Sequence, residues 1–433
     1  MKTIATVLFC FLILSCGGLK LKGYPKDFLP VTEQIQKGDW QAANEAFLEE
    51  YEEVLSDRED EDYLLALLEI GTLSHMNGNA EEAIEYYLRA DSIVDYMRDT
   101  EFTEELEAFL TSDLALQFTG ADFEQVAINY QLAKCYYEEG MYRDALVECR
   151  RVNEKLQYYN SNYADDRKNR YATDAFIEYV TGAIYQSSGD MDDALVSYRS
   201  SFETYRGQYL ERYKLEYPAS LPNTIARLAQ DMGHPAIAQE YLEMSGSEYT
   251  PIDSTCGEYL FLVEVGVIPP LYEKVFEEEG IEFRLPYMPV PEDTIQHSVQ
   301  IEIRGFEGDV PVFLAQDYGR IARENIEDET QRHMLRCLAS EVLRGLAKEA
   351  VSRIGQSFGL FGAIAGAVVN ETLFDKDETD LRMWMTLPEQ VFLARGAIPE
   401  GDYEVEIVVN DSLTAATSLT VDRGQLAMDF VRI

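Results

Sequence analysis

The sequence predicts an N-terminal all-α solenoid of stacked helical hairpins, followed by an α+β domain with a mostly antiparallel sheet. Its length of 433 residues exceeds what one ordinary core requires and favours several domains. Before residue 247, a glycine followed five residues later by an alanine occurs five times within helical patterns. After residue 257, short apolar or alternating segments separated by glycine and proline are typical of strands.

The repeated pattern places a glycine in the turn of each predicted hairpin and an alanine on its second helix. The pairs are Gly38 and Ala43, Gly78 and Ala83, Gly140 and Ala145, Gly189 and Ala194, and Gly233 and Ala238. Four residues after each alanine comes a large or apolar side chain: Phe47, Tyr87, Cys149, Tyr198 and Leu242. Seven residues before four of the glycines stands a small residue: Gly71, Ala133, Gly182 and Ala226. Small residues let paired helices cross closely, and the large side chains fill the adjacent space.

These units resemble tetratricopeptide (TPR) repeats, and the resemblance implies a surface that binds other proteins. TPR units recur about every 34 residues. Here the successive glycines are 40, 62, 49 and 44 residues apart. We therefore expect an irregular TPR-like solenoid over 25–247, with an extra or extended helix over 100–118, where the spacing is widest.

Tyrosines are concentrated in the middle of the predicted solenoid. Two interpretations are open: packing between long helices, or a groove that offers contact area with polar tips. The tyrosines concerned are Tyr136, Tyr137, Tyr142, Tyr158, Tyr159, Tyr163, Tyr171, Tyr179 and Tyr185.

The second half contains the strand patterns. We predict strands over 258–265, 298–304, 310–315, 383–394, 403–409, 415–421 and 426–432, and a long helix over 329–356. A Gly/Ala-rich segment, 355–369, follows that helix. It is too short to cross a bilayer, so a buried helix, a self-association surface and membrane insertion are the alternatives.

The N-terminus has the pattern of an export signal. Lys2 precedes an apolar run over 4–14, and the next residues are Ser15 and Cys16. The tetrapeptide 13–16 resembles a bacterial lipobox, which implies acylation of Cys16; a plain secretory signal is the alternative. Gly17 resembles the sorting residue of outer-membrane lipoproteins. We divide the chain into a signal peptide (1–15), a tether (16–24), the solenoid (25–247), a linker (248–256) and the α+β domain (257–433).

The net charge of −43 arises from 79 acidic and 36 basic residues. Such a surface repels nucleic acid and anionic lipid headgroups, because both are polyanions. Two interpretations of the charge are open: solubility, as in a salty habitat, or a basic partner.

No motif for catalysis or a cofactor stands in the context that its chemistry needs. The sequence contains no HExxH, P-loop or CxxC, and no GxGxxG after a strand. Residues 355–359 have the spacing GxSxG, but they follow a predicted helix, whereas a nucleophile elbow follows a strand. The segment 375–380 resembles the start of a calcium loop, but Asp380 stands where such a loop needs glycine, and the twelfth-position glutamate is also missing. We expect no enzymatic activity, no cofactor and no metal site.

A signature near the C-terminus resembles an uncharacterised family of bacterial envelope lipoproteins with TPR-like N-terminal halves. It comprises Asp380, Arg382, Trp384 and Pro388, followed by Arg395 within a predicted strand. We expect Trp384 to pack inward from a strand, and Asp380 either to cap the strand turn or to pair with Arg382 or Arg395. The family resemblance implies work in the cell envelope and no known activity.

Together these observations predict a non-catalytic lipoprotein, anchored in the outer membrane and facing the periplasm, that binds a protein partner. One alternative is a glycan-capturing lipoprotein similar to the SusD class. Sugar-binding sites favour exposed tryptophans, and the whole chain contains only 2 tryptophans. Another is an outer-membrane or cell-wall assembly factor similar to the BamD class, and a third is a hydrolase in the second domain.

Overall fold

The structure is a computed structural model that describes residues 19–100, 117–162, 173–278, 281–289, 297–327 and 379–433. The following predictions lie outside these residues: the signal peptide over 1–15, acylation of Cys16, most of the extra helix over 100–118, the roles of Tyr163 and Tyr171, the long helix over 329–356, the Gly/Ala-rich segment 355–369, and most of the segment 375–380. The chain forms two compact units. The larger comprises 30–268, 293–321 and 384–433, and the smaller comprises 1–29, 269–292 and 322–383.

The helices of the larger unit form antiparallel hairpins, as the repeated pattern predicts. In chain order the described helices are α1 (Tyr24–Asp27), α2 (Leu29–Ile35), α3 (Trp40–Ser56), α4 (Tyr63–Met76), α5 (Ala80–Thr100), α6 (Asp122–Glu138), α7 (Tyr142–Asn162), α8 (Ala175–Ser187), α9 (Met191–Thr204), α10 (Leu221–Asp231), α11 (Pro235–Ser245) and α12 (318–327). A π-helical segment, Tyr205–Tyr213, extends α9.

Each repeat glycine ends one helix of a hairpin in a conformation that side chains disfavour. Gly78, Gly140 and Gly189 have φ angles of 78°, 70° and 83°. This left-handed region costs a residue with a Cβ atom about 1–2 kcal/mol, so glycine is the natural helix terminator. The structure therefore places these glycines in the turns between paired helices.

The small and large residues of the pattern meet inside each hairpin. Ala83, Ala145 and Ala194 are fully buried. An added Cβ atom at Gly182 would lie 2.8 Å from the ring of Tyr198, and one at Gly71 would lie 2.7 Å from the ring of Tyr87. The glycines let the aromatic rings of the second helix rest directly on the first.

Two sheets complete the larger unit. The strands of the whole chain are β1 (Leu19–Lys20), β2 (Cys256–Val265), β3 (Tyr272–Glu278), β4 (Ile281–Tyr287), β5 (Val299–Ile303), β6 (Val312–Asp317), β7 (Gln390–Pro399), β8 (Gly401–Val409), β9 (Leu413–Val421) and β10 (Leu426–Arg432). The four-stranded sheet has the order β10-β2-β7-β6, and the three-stranded sheet has the order β5-β8-β9. All pairs are antiparallel except β10 with β2.

The two sheets pack face to face around a common core. Alternate residues of β2, namely Tyr259, Phe261 and Val263, contact this core together with Ile407 of β8 and Val421 of β9. The residues between them on β2 face the helices, because successive side chains of a strand point to opposite sides. The larger unit therefore has three layers: helical hairpins, the four-stranded sheet, and the three-stranded sheet.

The smaller unit contains the sheet β1-β3-β4. Lys22 forms an ion pair with Glu273 at 2.5 Å, and Thr379 donates a hydrogen bond to the same carboxylate at 3.3 Å. Asp380 pairs with Arg382 at 2.7 Å.

The predicted fold class, an all-α solenoid with an α+β part of mostly antiparallel sheet, is confirmed. Some elements differ from the sequence-based prediction. The strand expected over 383–394 begins at Gln390, because the preceding backbone donates its hydrogen bonds to side chains of the solenoid. Strands β3 and β4 and the parallel pairing of β10 with β2 were not predicted.

Replacing Gly182 with alanine should destabilise the protein, because Tyr198 is fully buried and cannot move away from the new methyl group. We expect the free energy of unfolding of G182A to fall by about 1–3 kcal/mol, the usual cost of overpacking. The matched control is G207A, since an added Cβ atom at Gly207 has no neighbour within 4 Å. Urea denaturation followed by circular dichroism measures both. Equal stability of the two variants would contradict the packing account.

Candidate protein-binding surface

The inner face of the solenoid is occupied by the protein's own four-stranded sheet. Within the larger unit, helices α4, α6, α8 and α10 are buried over most of their length. Second helices cover one side of them and strands the other. The buried contacts between helices and strands include many polar groups, so the sheet is held in a defined register.

Glu264 of β2 is the first of these polar contacts. Its carboxylate accepts hydrogen bonds from Tyr130 Oη at 2.9 Å and from Lys134 Nζ at 2.9 and 3.1 Å. Arg432 of β10 lies 3.5 Å from the same carboxylate. Burial alone would raise the pKa of Glu264, but the charges of Lys134 and Arg432 outweigh burial and lower that pKa to about 2.

Glu258, at the other end of β2, makes a second buried ion pair. Arg395 of β7 donates to its two oxygens at 3.1 and 3.0 Å. Arg227 and Gln186, on two different hairpins, also donate to this carboxylate. The desolvation cost is again outweighed by the two guanidinium groups, which lower the pKa of Glu258 to about 2.

Strand β6 is held by a third contact. The carboxylate of Asp174, just before α8, accepts hydrogen bonds from Gln316 at 3.0 Å and from Tyr209 at 2.9 Å. Tyr205 donates to the carbonyl oxygen of Ala315 at 2.7 Å.

The C-terminal signature supplies a fourth contact in the larger unit. Glu69 of α4 accepts hydrogen bonds from the backbone N–H groups of Met385 and Thr386, at 2.7 and 2.9 Å. Glu124 of α6 accepts one from the backbone N–H of Trp384 at 2.6 Å. Trp384 is fully buried, and Pro388 is buried just before β7. The signature residues of this unit thus attach a non-strand segment to the helices.

The predicted pairing of Asp380 is found with Arg382 and not with Arg395, which pairs with Glu258. In this way the two signature arginines take part in separate contacts.

Over the described residues, the groove in which a helical-repeat protein could hold a peptide is therefore filled by the chain's own sheet. A cleft of about 390 Å³ lies where the turn between α6 and α7 meets the edges of the two sheets. Tyr137, Glu138 and Tyr142 line it from the helices. Its other walls are Leu419, Thr420, Asp422, Gln425, Leu426, Ala427, Met428, Asp429 and Phe430.

Aromatic side chains form one wall of this cleft. The rings of Tyr137 and Tyr142 lie 5.1 Å apart, and Tyr137 also contacts Phe430 edge to face at 5.9 Å. Tyr142 is 42% exposed. Tyrosine supplies rigid contact area with a polar tip and is enriched in protein interfaces. The clustered tyrosines divide between the two interpretations. Tyr179 is fully buried and packs between helices, whereas Tyr142 is exposed and lines the cleft.

Carboxylates supply the charge of the cleft. Glu138, Asp422 and Asp429 line it, and its lining contains no lysine, arginine or histidine. Burial, followed by the proximity of Glu138, raises the pKa of Asp429, whereas hydrogen bonds from Thr417 and the Phe430 backbone lower it. His75 lies 2.5 Å from Glu138 on the helical side.

Other kinds of site have less support. The described residues contain no group of three or more histidine, cysteine or acidic side chains that could hold a metal ion. Cys149 is buried where the repeat needs a large side chain, and Cys135 and Cys256 are likewise unpaired thiols. None of the described helices combines the length and apolar character needed to span a bilayer.

The cleft residues were not singled out from the sequence, apart from the two tyrosines. The strand pattern over 426–432 predicted β10, but its position at a sheet edge follows from its parallel pairing with β2, which has no local signal. Proximity of that edge to the turn of a distant hairpin could not be read from either segment alone.

No protein-family model matches the chain, and no curated protein matches it. Among solved structures, MamA is similar over 50% of this chain and 91% of its own, with 17% identity and a TM-score of 0.30. BtubC from P. vanneervenii covers 51% of this chain and 80% of its own at 18% identity, with a TM-score of 0.33. A putative kinesin light chain of Podosopora anserina with TPR-like repeats covers 51% and 92% at 16% identity, with a TM-score of 0.34. These similarities are too low to indicate a function.

The ion pair of Glu264 should make stability depend on acid pH. Because its folded-state pKa is about 2 and its ordinary value is 4.5, the unfolded state binds a proton first. Glu264 therefore stabilises the protein above pH 4.5, and this contribution is lost as pH falls toward 2. Between pH 4.5 and pH 2, the free energy of unfolding of the wild type should fall by on the order of 3 kcal/mol more than that of E264Q.

The measurement is the free energy of urea unfolding as a function of pH for the wild type and E264Q. E49Q, which removes an exposed carboxylate from α3, is the matched control. At neutral pH, E264Q should also be the less stable of the two variants, since Lys134 and Arg432 remain buried after losing their carboxylate. Parallel pH profiles for E264Q and the wild type would refute the assignment.

Proposed function

We propose that this chain is a non-catalytic scaffold of the bacterial cell envelope that binds a protein partner through the cleft beside β10. The observation that supports it best is the contrast between two surfaces. The inner face of the solenoid is filled by the chain's own sheet, whereas the cleft exposes aromatic contact area and carboxylates. A partner surface of this kind needs no catalytic group and no bound metal.

We further propose that the scaffold is a lipoprotein, acylated on Cys16 and located in the outer membrane facing the periplasm. The support is the sequence pattern over 1–17: a basic residue, an apolar run and a lipobox-like end. Acyl chains would anchor the protein through hydrophobic burial, at about 0.8 kcal/mol for each CH₂ group. Such an anchor would leave the solenoid and sheets on the periplasmic side.

Glycan capture, the alternative function, has no observation in its favour. Trp384 is fully buried. The guanidinium of Arg432 lies 5.9 Å from the ring centre of Trp40. Trp384 therefore offers no ring to a sugar, and the half-buried Trp40 already has a charged side chain over its ring.

Lipid anchoring predicts that C16S is released from the membrane fraction of cells. The wild type should sediment with membranes, and C16S should remain in the soluble fraction. C10S is the matched control, because Cys10 lies inside the apolar run and outside the lipobox. The readout is immunoblotting of fractionated cells. A C16S protein that still sediments would refute the anchoring.

Protein binding at the cleft predicts site-specific crosslinks in cells. A photo-reactive phenylalanine analogue in place of Tyr142 should form an adduct with a partner, because that side chain is exposed in the cleft. The same analogue in place of Val196, which is 62% exposed and lies outside the cleft, should form none. Mobility shifts on denaturing gels detect the adducts. Adducts at position 196 alone would place the binding surface elsewhere, and adducts at neither position would count against the scaffold function.

A further inference from the structure

The open edge of β10 lies along the cleft. β10 is the outermost strand of its sheet, with β2 on one side only among the described residues. At the two ends of the parallel pair, the N–H of Ile433 donates to the carbonyl oxygen of Glu264, and the N–H of Glu258 donates to that of Gln425. The N–H of Gly266, just after β2, donates to the carbonyl oxygen of Ile433. By alternation along the strand, the backbone groups of Leu426, Met428 and Phe430 point away from β2.

These backbone groups form a row that another strand can use. Leu426, Met428 and Phe430 each offer an N–H and a carbonyl along this edge, and the N–H of Phe430 lies near the carboxylate of Asp429. Leu426 to Phe430 spans about 13 Å at the usual rise of a strand. An unpaired strand edge of this length is a template for the addition of an extended peptide.

The cleft that contains this edge has two further walls. Tyr137 and Tyr142 come from the helices, and Leu419 and Thr420 come from β9. The walls supply contact area to side chains of an added strand, which alternate between its two faces. They also hinder approach by a wide, flat sheet edge, so a single extended segment fits better than another folded domain.

The charge of the cleft selects the kind of segment. Glu138, Asp422 and Asp429 line it together with no lysine or arginine, and Glu138 also contacts His75, which lies outside the lining. The neighbouring Arg423 donates to the carbonyl oxygen of Ser254, which is not a lining residue. A second copy of this chain would bring a net charge of −43 and would be repelled. A lysine- or arginine-rich segment would instead be attracted.

We propose that the cleft binds an extended basic segment of a partner protein, which adds as a strand to the open edge of β10. This inference rests on the proposed scaffold function and specifies the partner's chemistry. Backbone hydrogen bonds to Leu426 and Met428 would supply affinity, and carboxylates would supply the preference for basic side chains. Under this proposal, the carboxylates of the cleft attract the basic side chains of the partner.

The test uses the purified full chain and a fluorescent, end-capped octapeptide in which lysine alternates with threonine and valine. We expect saturable binding in fluorescence anisotropy. The same peptide with glutamate in place of lysine should not bind. A third peptide, N-methylated at every residue, keeps its charge but cannot donate backbone hydrogen bonds. We expect it to bind at least about tenfold more weakly, since two lost hydrogen bonds suffice for that change.

Protein variants test the two contributions separately. D422N/D429N should weaken binding of the lysine peptide about fivefold, as expected for two partly exposed charges. E49Q/E50Q removes the same charge from an exposed face of α3 and should change binding less than twofold. M428P removes an open-edge N–H and should bind at least about fivefold more weakly than M428A, which loses only the side chain.

Two results would overturn the proposal. If the N-methylated peptide binds as tightly as the unmodified lysine peptide, the attraction is electrostatic and no strand is added. If E49Q/E50Q weakens binding as much as D422N/D429N does, the attraction is not specific to the cleft. Hydrogen exchange should show slower exchange at Leu426 and Met428 when the lysine peptide is bound. Crosslinks at position 142 without binding of the lysine peptide would leave the scaffold function standing and refute this inference alone.

Discussion

The buried carboxylates of strand β2 are the constraint on which the larger unit depends. Glu264 and Glu258 lie six residues apart on the same face, and each meets cationic groups from the helices or from neighbouring strands. A buried carboxylate without such partners would cost several kcal/mol. A shift of β2 by one residue would turn both into the apolar core between the sheets. The ion pairs therefore add less to net stability than to the choice of a single register.

This arrangement changes what the helical hairpins do. In a free solenoid, the inner face is available to a partner. Here the chain's own sheet and the segment around Trp384 occupy that face, and Glu69 and Glu124 are used to hold backbone rather than a ligand. The hairpins support a β-sandwich, and the proposed binding surface is the cleft where the hairpin turn meets the sheet edges. The signature residues of the larger unit belong to this internal attachment.

Sequence patterns predicted the hairpins well, because the residues that determine each hairpin lie close together in the sequence. A turn glycine such as Gly140 and an alanine five residues later act within one hairpin, so their spacing is visible without any tertiary information. Most of the strands were also predicted from alternation. The segment around Trp384 was assigned to a strand because it is apolar, but its hydrogen bonds go to distant glutamates, and no local pattern reports that. The cleft was predicted only through Tyr137 and Tyr142, since it is assembled from segments almost 300 residues apart.

The sequence alone thus determines the helical-repeat class and the mostly antiparallel sheet, through local spacing: glycines in turns, small residues opposite large ones, and period-two alternation. Local spacing does not determine that the chain's own sheet covers the inner face of the solenoid. This covering depends on pairing Glu264 with Lys134 and Glu258 with Arg395, and such pairs form only when remote segments meet away from water. The same tertiary arrangement sets β10 at the sheet edge beside the carboxylates of the cleft. Local sequence patterns determine the helices and strands, whereas the free-energy cost of burying an unpaired charge determines how these elements pack against one another.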